Sequence, residues 1–347
     1  MNPTIALLLA QDGITNGIAF ALLAVAMLLV FLVTRILFVA QGEFVVLGAI
    51  TTVQVQRGEV AGAAWLLISL AILCILLSTI QVVRERNARN WYLQSGICIL
   101  SLGIGWYATS HPPAGNAAWV QIASVLCLVT PMGPLLYWSA FRNISRSSIL
   151  TLLFAAMCAH YILQGLMLPL FGPEGFRALP LVHGRIDIGG ARLSAQLIFI
   201  VCTFLVLTTG LWLFFCYTLS GKALRAISVN RIGARLVGIS SDISGATAFG
   251  LASFIGAISG ILIAPLSNIY YDSGFLLALK GFVGCVVGGF ASFPLAALGA
   301  ILTGLLDSFS SFYASAFRDS IVFALLVPIL LYMSVTNISG RGEETEE

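Results

Sequence analysis

The chain has 347 residues, 59% of them hydrophobic and 9% charged, with a mean hydropathy of +1.01 and a formal net charge of +3. Soluble domains carry about 25% charged residues, so this composition excludes a water-soluble enzyme domain, a disordered segment and a disulfide-stapled secreted module, and points to the lipid bilayer as solvent. The charge is too small for a nucleic-acid footprint, and the cysteines (Cys74, Cys98, Cys127, Cys158, Cys202, Cys216, Cys285) lie in apolar runs with no CxxC pair, as small hydrophobes rather than metal or disulfide ligands.

The opening MNPTIALLLAQDG has no basic leader, which argues against a cleaved signal peptide. A membrane helix needs about 20 mostly apolar residues. By that measure strong spans are predicted near 14–34, 64–83, 118–140, 149–170, 197–219, 244–271 and 320–336, with weaker or interrupted segments near 44–56, 91–109, 275–290 and 294–312. The expected fold is an all-α, polytopic integral membrane helical bundle of about 9–11 transmembrane segments, with broken or short helices near 35–56 and 275–312. It is expected to form one transmembrane domain over 1–347.

Basic residues set the expected orientation. Arg35, the loop 84–90 (Arg84, Arg86, Arg89), the loop 141–148 (Arg142, Arg146), the loop 220–235 (Lys222, Arg225, Arg231, Arg235) and Arg341 fall on one side by alternation of spans. Arg57, Arg177, Arg185, Arg192 and Arg318 fall on the other. The positive-inside bias names the first side cytoplasmic, together with the acidic C-terminal tail, and turns the 171–195 loop outward.

Small residues recur every fourth position at Ala252, Gly256 and Gly260 and again at Gly284 and Gly288, a spacing that lets helix backbones approach closely. Four ionisable side chains sit in or beside apolar segments: Glu43, His160, Lys280 and Asp307. A charge at the bilayer centre costs at least about 2.5–3.5 kcal/mol, so each needs a partner or a task. Glu43, just after Gln41 and Gly42 at a short helix start, is either a cap favoured by the helix dipole or part of a transport path. Lys280 could pair with Asp307 or with Glu43, and a structural ion pair competes with substrate contact. His160 is expected to be a satisfied packing histidine. No GxxxxGK[ST], HExxH or GxSxG motif is present, so no catalytic residue and no metal site is expected.

The stretch SGKALRAISVNRIGARLVGISSD from Ser220 to Asp242 predicts two short amphipathic helices meeting near Asn230 and closing at Gly238. They fit either a lipid-facing anchor or a docking element for a partner.

This stretch also resembles the cytoplasmic coupling loop of permease subunits of the high-affinity branched-chain amino acid ABC importer family. GITNGIAFALLAVAMLLVF with AQGEFVVLGA, SGILIAPLSNIYYDSG, and KGFVGCVVGGFASFPLAALGAILTGLLDSFSS resemble further parts of that family in the same order. The resemblance covers residues 13–50 and about 141–336. It implies a transport subunit that binds no ATP itself, with ATP and Mg on partner ATPases. Implied partners are a second permease subunit, two cytoplasmic ATPase subunits and a periplasmic substrate-binding protein, with membrane lipid around and no nucleic acid. It implies coupling through Lys222, Ala223, Leu224, Arg225, Ala226, Arg231, Arg235 and Gly238, and a translocation path or gate at Gln41, Gly42, Glu43, Lys280 and Asp307. Departures are Gln41, where relatives have histidine, and the loop centre Ser228 to Ile232, which lacks the usual acidic residue. Residues 60–115 look like an inserted helix pair. The implied function is import of a small polar solute, an amino acid, amide or small organic acid, across the inner membrane by ATP-driven alternating access; the alternative is an ion-coupled secondary transporter or channel acting without an ATPase.

Overall fold

A computed structural model describes residues 3–85, 91–111, 117–145, 147–182, 184–188, 191–290 and 292–331. Expectations on Arg86, Arg89, Arg146, Arg341 and the acidic tail, and on the side chains of Arg84, Arg185 and Arg192, lie outside the described residues. The chain is helical almost throughout. It runs α1 (Pro3–Thr34), α2 (Gln41–Arg57), α3 (Gly62–Glu85), α4 (Trp91–Ser110), α5 (Ala118–Val129) and α6 (Met132–Leu136), the last continuing through a π-turn, Tyr137–Phe141, and then α7 (Ile149–Phe171). A short antiparallel hairpin, β1 (Arg185–Ile188) and β2 (Ala191–Ser194), precedes α8 (Ala195–Tyr217), α9 (Leu219–Val229), α10 (Arg231–Leu236) and α11 (Ser241–Ile263). The chain continues with α12 (Gly274–Val287), α13 (Phe293–Tyr313) and α14 (Arg318–Ala324).

Seven helices among the described residues are long and apolar enough to cross a membrane: Ile5–Thr34, Gly62–Ile80, Ala118–Phe141, Ile149–Phe171, Ala195–Tyr217, Ser241–Ile263 and Phe293–Tyr313. The all-α polytopic class is as expected, but two spans differ. The span expected over 244–271 stops at Ile263, because Pro265 cannot continue the ladder and the following chain pairs Ile269 with Phe176 instead. The span expected over 320–336 begins at Arg318 and is interrupted by a turn at Leu325. The β-hairpin in the 171–195 loop has no counterpart in the sequence reading.

By internal contacts the chain divides into two compact units, Met1–Leu28 with Leu276–Glu347, and Leu29–Phe275. The larger unit is built on α2 and α11. Lipid is as apolar as leucine, so burial alone does not drive helices together in a bilayer; close van der Waals contact does. Glycines supply it: a Cβ on Gly48 would lie 2.6 Å from the Ala257 carbonyl oxygen, one on Gly256 would lie 2.8 Å from the Phe44 Cβ, and one on Gly260 would lie 2.7 Å from the Ala49 nitrogen. The Ala252, Gly256 and Gly260 face is therefore the seam against α2, and every residue of α2 from Gln41 to Val55 is buried. α3 and α4, the pair that looked inserted, pack along each other and meet α5.

The break between α1 and α2 has an identifiable cause. Arg35 takes a left-handed backbone, φ 60°, and closes α1 through its N–H to the Phe31 carbonyl. The chain then drops Phe38 into an aromatic cluster, with ring centroids 4.8 Å from Phe249, 5.7 Å from Phe141 and 5.9 Å from Phe44. Six residues of non-helical chain are thus held at depth by packing against protein, the condition under which such breaks persist in membranes.

Polar contacts sort the loops of this unit to two ends. At one end Gln94, Arg142 and Asp242 touch, gathering the start of α4, the exit of the π-turn and the start of α11. At the other end Leu179 donates its N–H to Gln56 Oε1 at 2.8 Å, Ala178 donates to the Ala264 carbonyl at 3.0 Å, and Arg177 Nε donates to the Pro265 carbonyl at 3.2 Å. Arg142 and Arg177 thus stand at different ends, as the alternation inferred from the arginines has them.

The smaller unit repeats the small-residue device. A Cβ on Gly284 would lie 2.5 Å from the Ala300 Cβ, and one on Gly17 would lie 2.9 Å from the Ile301 Cα. Cys285 Sγ donates to the Ala24 carbonyl at 3.1 Å, a buried thiol used as a polar link between α12 and α1.

Candidate functional site

Gln41, Gly42 and Glu43 form the first turn of α2, directly after the break, and all three are buried. Gln41 Nε2 donates to the Ala252 carbonyl at 2.8 Å, tying the turn to α11. Glu43 is fully buried, and its Oε1 accepts a ring N–H from His160 Nδ1 at 2.7 Å. His160, on α7, packs its ring 5.2 Å from Phe275. Gly274, at the start of α12, backs the carboxylate so closely that a Cβ there would lie 2.6 Å from Glu43 Cδ. Glu43 Oε2 and Gln41 Oε1 have no hydrogen-bond partner among the described residues. The first turn of α2 therefore holds two buried acceptors not yet matched with donors.

His160 is buried and satisfied, as expected, but its partner is an acid that the sequence reading had offered to Lys280. Lys280 belongs instead to a charged cluster in the smaller unit. Its Nζ lies 2.9 Å from Asp307 Oδ1 and 3.1 Å from Asp319 Oδ1. Asp307 is fully buried and also accepts from Arg318, through Nε at 2.8 Å and through Nη2. The Lys280 ammonium sits 5.7 Å from the Phe20 ring centroid, a cation–π contact. The sequence pairing of Lys280 with Asp307 is present; Arg318 and Asp319 were not foreseen as members.

The element from Leu219 to Gly238 is two helices, as predicted, each started by a side-chain cap, and a third cap starts α11 just beyond it. Thr218 Oγ1 accepts from the Gly221 N–H at 3.0 Å, Asn230 Oδ1 from the Gly233 N–H at 2.8 Å, and Ser240 Oγ from the Ile243 N–H at 3.4 Å. Leu224, Ile227 and Ala234 point inward, and Ala223 and Ala226 lie half-buried beside them. Lys222, Arg225 and Arg235 are exposed and Arg231 is half-buried; Arg235 Nε donates to Ser241 Oγ at 2.8 Å. Gly238 ends the element at φ 89°, a left-handed backbone that glycine adopts without strain. Large apolar side chains nevertheless stand out from it: Val229 is 82% exposed, Ile232 75%, Leu236 83% and Val237 76%. Between α8 and α9 a hollow of about 440 Å³ is bounded by Phe215, Cys216, Lys222, Arg225, Ala226 and Val229. No acidic residue lies between Leu219 and Ser241, so the surface offered is apolar and cationic.

Among the described residues no group of three His, Cys, Asp or Glu side chains is placed to hold a metal ion. What the arrangement offers is a broken-helix bundle with a buried Glu43–His160 hydrogen bond in the larger unit, a charged cluster in the smaller, and an exposed two-helix element at one end of the larger.

Comparison with known proteins bears on what such a bundle does. The family described as "Branched-chain amino acid transport system / permease component" matches residues 9–332. The "High-affinity branched-chain amino acid transport system permease protein LivH" of Escherichia coli K12, and that of Salmonella typhimurium, are 28% identical to the chain over 240 residues, 66% of this chain and 77% of theirs. The corresponding permease protein BraD of Pseudomonas aeruginosa is 32% identical over 165 residues, 47% of this chain and 53% of its own. No solved structure matches. The chain belongs to the permease-component family of branched-chain amino acid ABC transport systems: it is a multi-pass inner-membrane transport subunit that works alongside ATPase and binding-protein partners.

Proposed function

We propose that the chain forms half of the path by which an importer moves a small polar solute inward through ATP-driven alternating access. Branched-chain amino acids, named for the relatives, are the first candidates, with amides and small organic acids after them. In this reading the α9–α10 element docks one of two cytoplasmic ATPases, which carry the ATP and Mg, while a second permease subunit completes the path. A periplasmic binding protein delivers solute at the opposite end, where residues 176–179 and 264–269 meet. The basic end and the C-terminus are cytoplasmic, in line with the positive-inside bias.

The observation that carries the reading is the exposure of Val229, Ile232, Leu236 and Val237 on an element whose turns are fixed by caps. An exposed apolar patch rimmed by charge marks an interaction site, and Lys222, Arg225 and Arg235 around it favour a partner groove with an acidic rim. In the path, the two acceptors at Gln41 and Glu43, enclosed here and without partners among the described residues, would meet donors of a passing solute once the path opens.

The test is co-purification of the ATPase with the tagged chain. Arg225→Glu reverses the surface charge, and Gly238→Ala strains the left-handed exit at a cost of about 1–2 kcal/mol. Both variants are expected to insert normally and to lose most of the bound ATPase. Full retention of the ATPase by both would overturn the docking role.

A further inference from the structure

The chain uses Arg142 in a way that neither the family nor the docking reading assigns. Arg142 leaves the π-turn at the end of α6, where its N–H bonds to the Tyr137 carbonyl at 2.8 Å, five residues back. π-turns of this kind are rare and gather at functional positions. The turn is anchored by rings: Tyr137 and Phe141 are fully buried, with centroids 5.2 Å and 5.3 Å from Phe249 on α11. Gly245, on the first turns of α11, lies under Tyr137, and a Cβ there would fall 2.7 Å from its Cε2.

From that base the guanidinium reaches two ways. Nε lies 3.4 Å from Asp242 Oδ2, in the first turn of α11 and four residues beyond Gly238. Nη1 donates to Gln94 Oε1 at 3.1 Å. Gln94, on α4 and 4% exposed, uses its other end as well, donating from Nε2 to Cys74 Sγ on α3 at 3.5 Å. A chain of polar contacts thus runs from α3 through α4 and the π-turn to the start of α11. The next residue back, Ser241, accepts from Arg235 of α10.

We propose that Arg142 is a positioning residue: it fixes the exit of the α9–α10 element by holding the first turn of α11, and it makes the α3–α4 hairpin the fixed support for that turn. The planar fork of an arginine serves two acceptors at once, which a lysine does not reproduce. An exposed ion pair contributes little stability, and Asp242 is 38% exposed. The contact therefore sets orientation, and its loss is expected to change geometry far more than stability. This inference rests on the docking reading for its consequence, but not for its structural part.

The experiment uses the full chain in lipid nanodiscs. Hydrogen exchange is followed over residues 231–246, with α13 as internal reference, and purified ATPase is titrated onto the same discs. Arg142→Gln and Asp242→Asn are each expected to speed exchange over 231–246 by about fivefold, the upper end of what a partly exposed ion pair contributes, and to weaken ATPase binding about tenfold, with α13 unchanged. Arg142→Lys is expected to restore part of the protection, and the swap of Arg142→Asp with Asp242→Arg more of it than either reversal alone. Gln94→Leu is expected to give a smaller local increase, about threefold. Exchange over 231–246 that ignores Arg142→Gln overturns the proposal, and exchange that ignores Gln94→Leu removes the hairpin from it. Should the unaltered chain bind no ATPase, the docking reading fails, while the exchange arm still decides whether Arg142 positions the turn.

Discussion

Replacing His160 by leucine should harm the protein more than replacing it together with its partner. The pair is fully enclosed, the His160 side chain being 3% exposed and that of Glu43 0%, with 2.7 Å between ring nitrogen and carboxylate oxygen. Leucine fills much of the imidazole volume, so the main loss is the donor. The carboxylate then keeps no hydrogen-bond partner among the described residues, since Oε2 already has none. Leaving a buried group unsatisfied costs about 1–3 kcal/mol, and more than that for a charged one. Glu43→Gln alone keeps an acceptor for the ring N–H and should cost only about 0.5–1.5 kcal/mol, the net worth of one hydrogen bond. In the double variant the orphan is a neutral amide, whose penalty is about 1–3 kcal/mol. The order of stability is therefore Glu43→Gln above the double variant, and the double variant above His160→Leu. Unfolding in mixed micelles by SDS titration, read by tryptophan fluorescence, gives the three values. Additive losses, with the double variant the least stable, would refute the reasoning that the two side chains act as one hydrogen-bonded unit.

In the larger unit, Gly48→Val drives a branched side chain into the Ala257 carbonyl and should destabilise by about 1–3 kcal/mol or more, as overpacking does; a thermal midpoint unchanged in detergent would show that the α2–α11 seam can open. In the smaller unit, Asp307→Asn leaves Lys280 and Arg318 facing each other with only Asp319 between them, and should cost about 3–5 kcal/mol. Asp319→Asn, at a side chain 48% exposed, should cost about 1 kcal/mol or less. Comparing the two thermal midpoints checks both. Exchanging the charges of Lys280 and Asp307 should rescue only in part, because the new lysine at 307 meets Arg318.

The spans were legible because a membrane helix announces itself by composition alone, and the broken segment at 35–40 because it is bounded by Arg35 and Gln41 between two apolar runs. The small-residue faces were legible as faces but not as pairs: nothing in Ala252, Gly256 and Gly260 says that the opposite surface is Gly48 and Phe44, since apolar helices carry no register. Glu43 and His160 are separated by 117 positions, and the sequence offered Glu43 only Lys280 as a partner, with His160 read as a packing residue. The signal that could have favoured His160 is that Lys280 already had an acid, Asp307, one helix away. Arg318 and Asp319 were missed because a helix start at 320 leaves them in a loop. Arg142 was read as one more basic loop residue, for a π-turn and a contact to Asp242 a hundred residues later have no local signature.

Helix α11 joins the two ends at which the proposed importer meets its partners. Its first turn carries Asp242 and the Ser240 cap, and its end passes into Ala264, whose carbonyl accepts from Ala178 in the 176–179 segment. A helix of 23 residues spans about 34 Å, more than the hydrocarbon core of a bilayer. Along that length its glycine seam leaves no room against α2: the Gly48, Gly256 and Gly260 positions would clash on any sliding that brought a side chain opposite them. Packed interfaces of this kind move between discrete arrangements and do not deform continuously. In the proposed importer a push delivered at α10 would be carried by α2 and α11 turning together, with the yielding points at the Arg35 break and at the Ala264 to Ser273 turn. Gln41 and Glu43, at the first turn of α2, sit next to the first of those points, so the buried acceptors would be re-aimed by the same movement that re-aims the proposed coupling element.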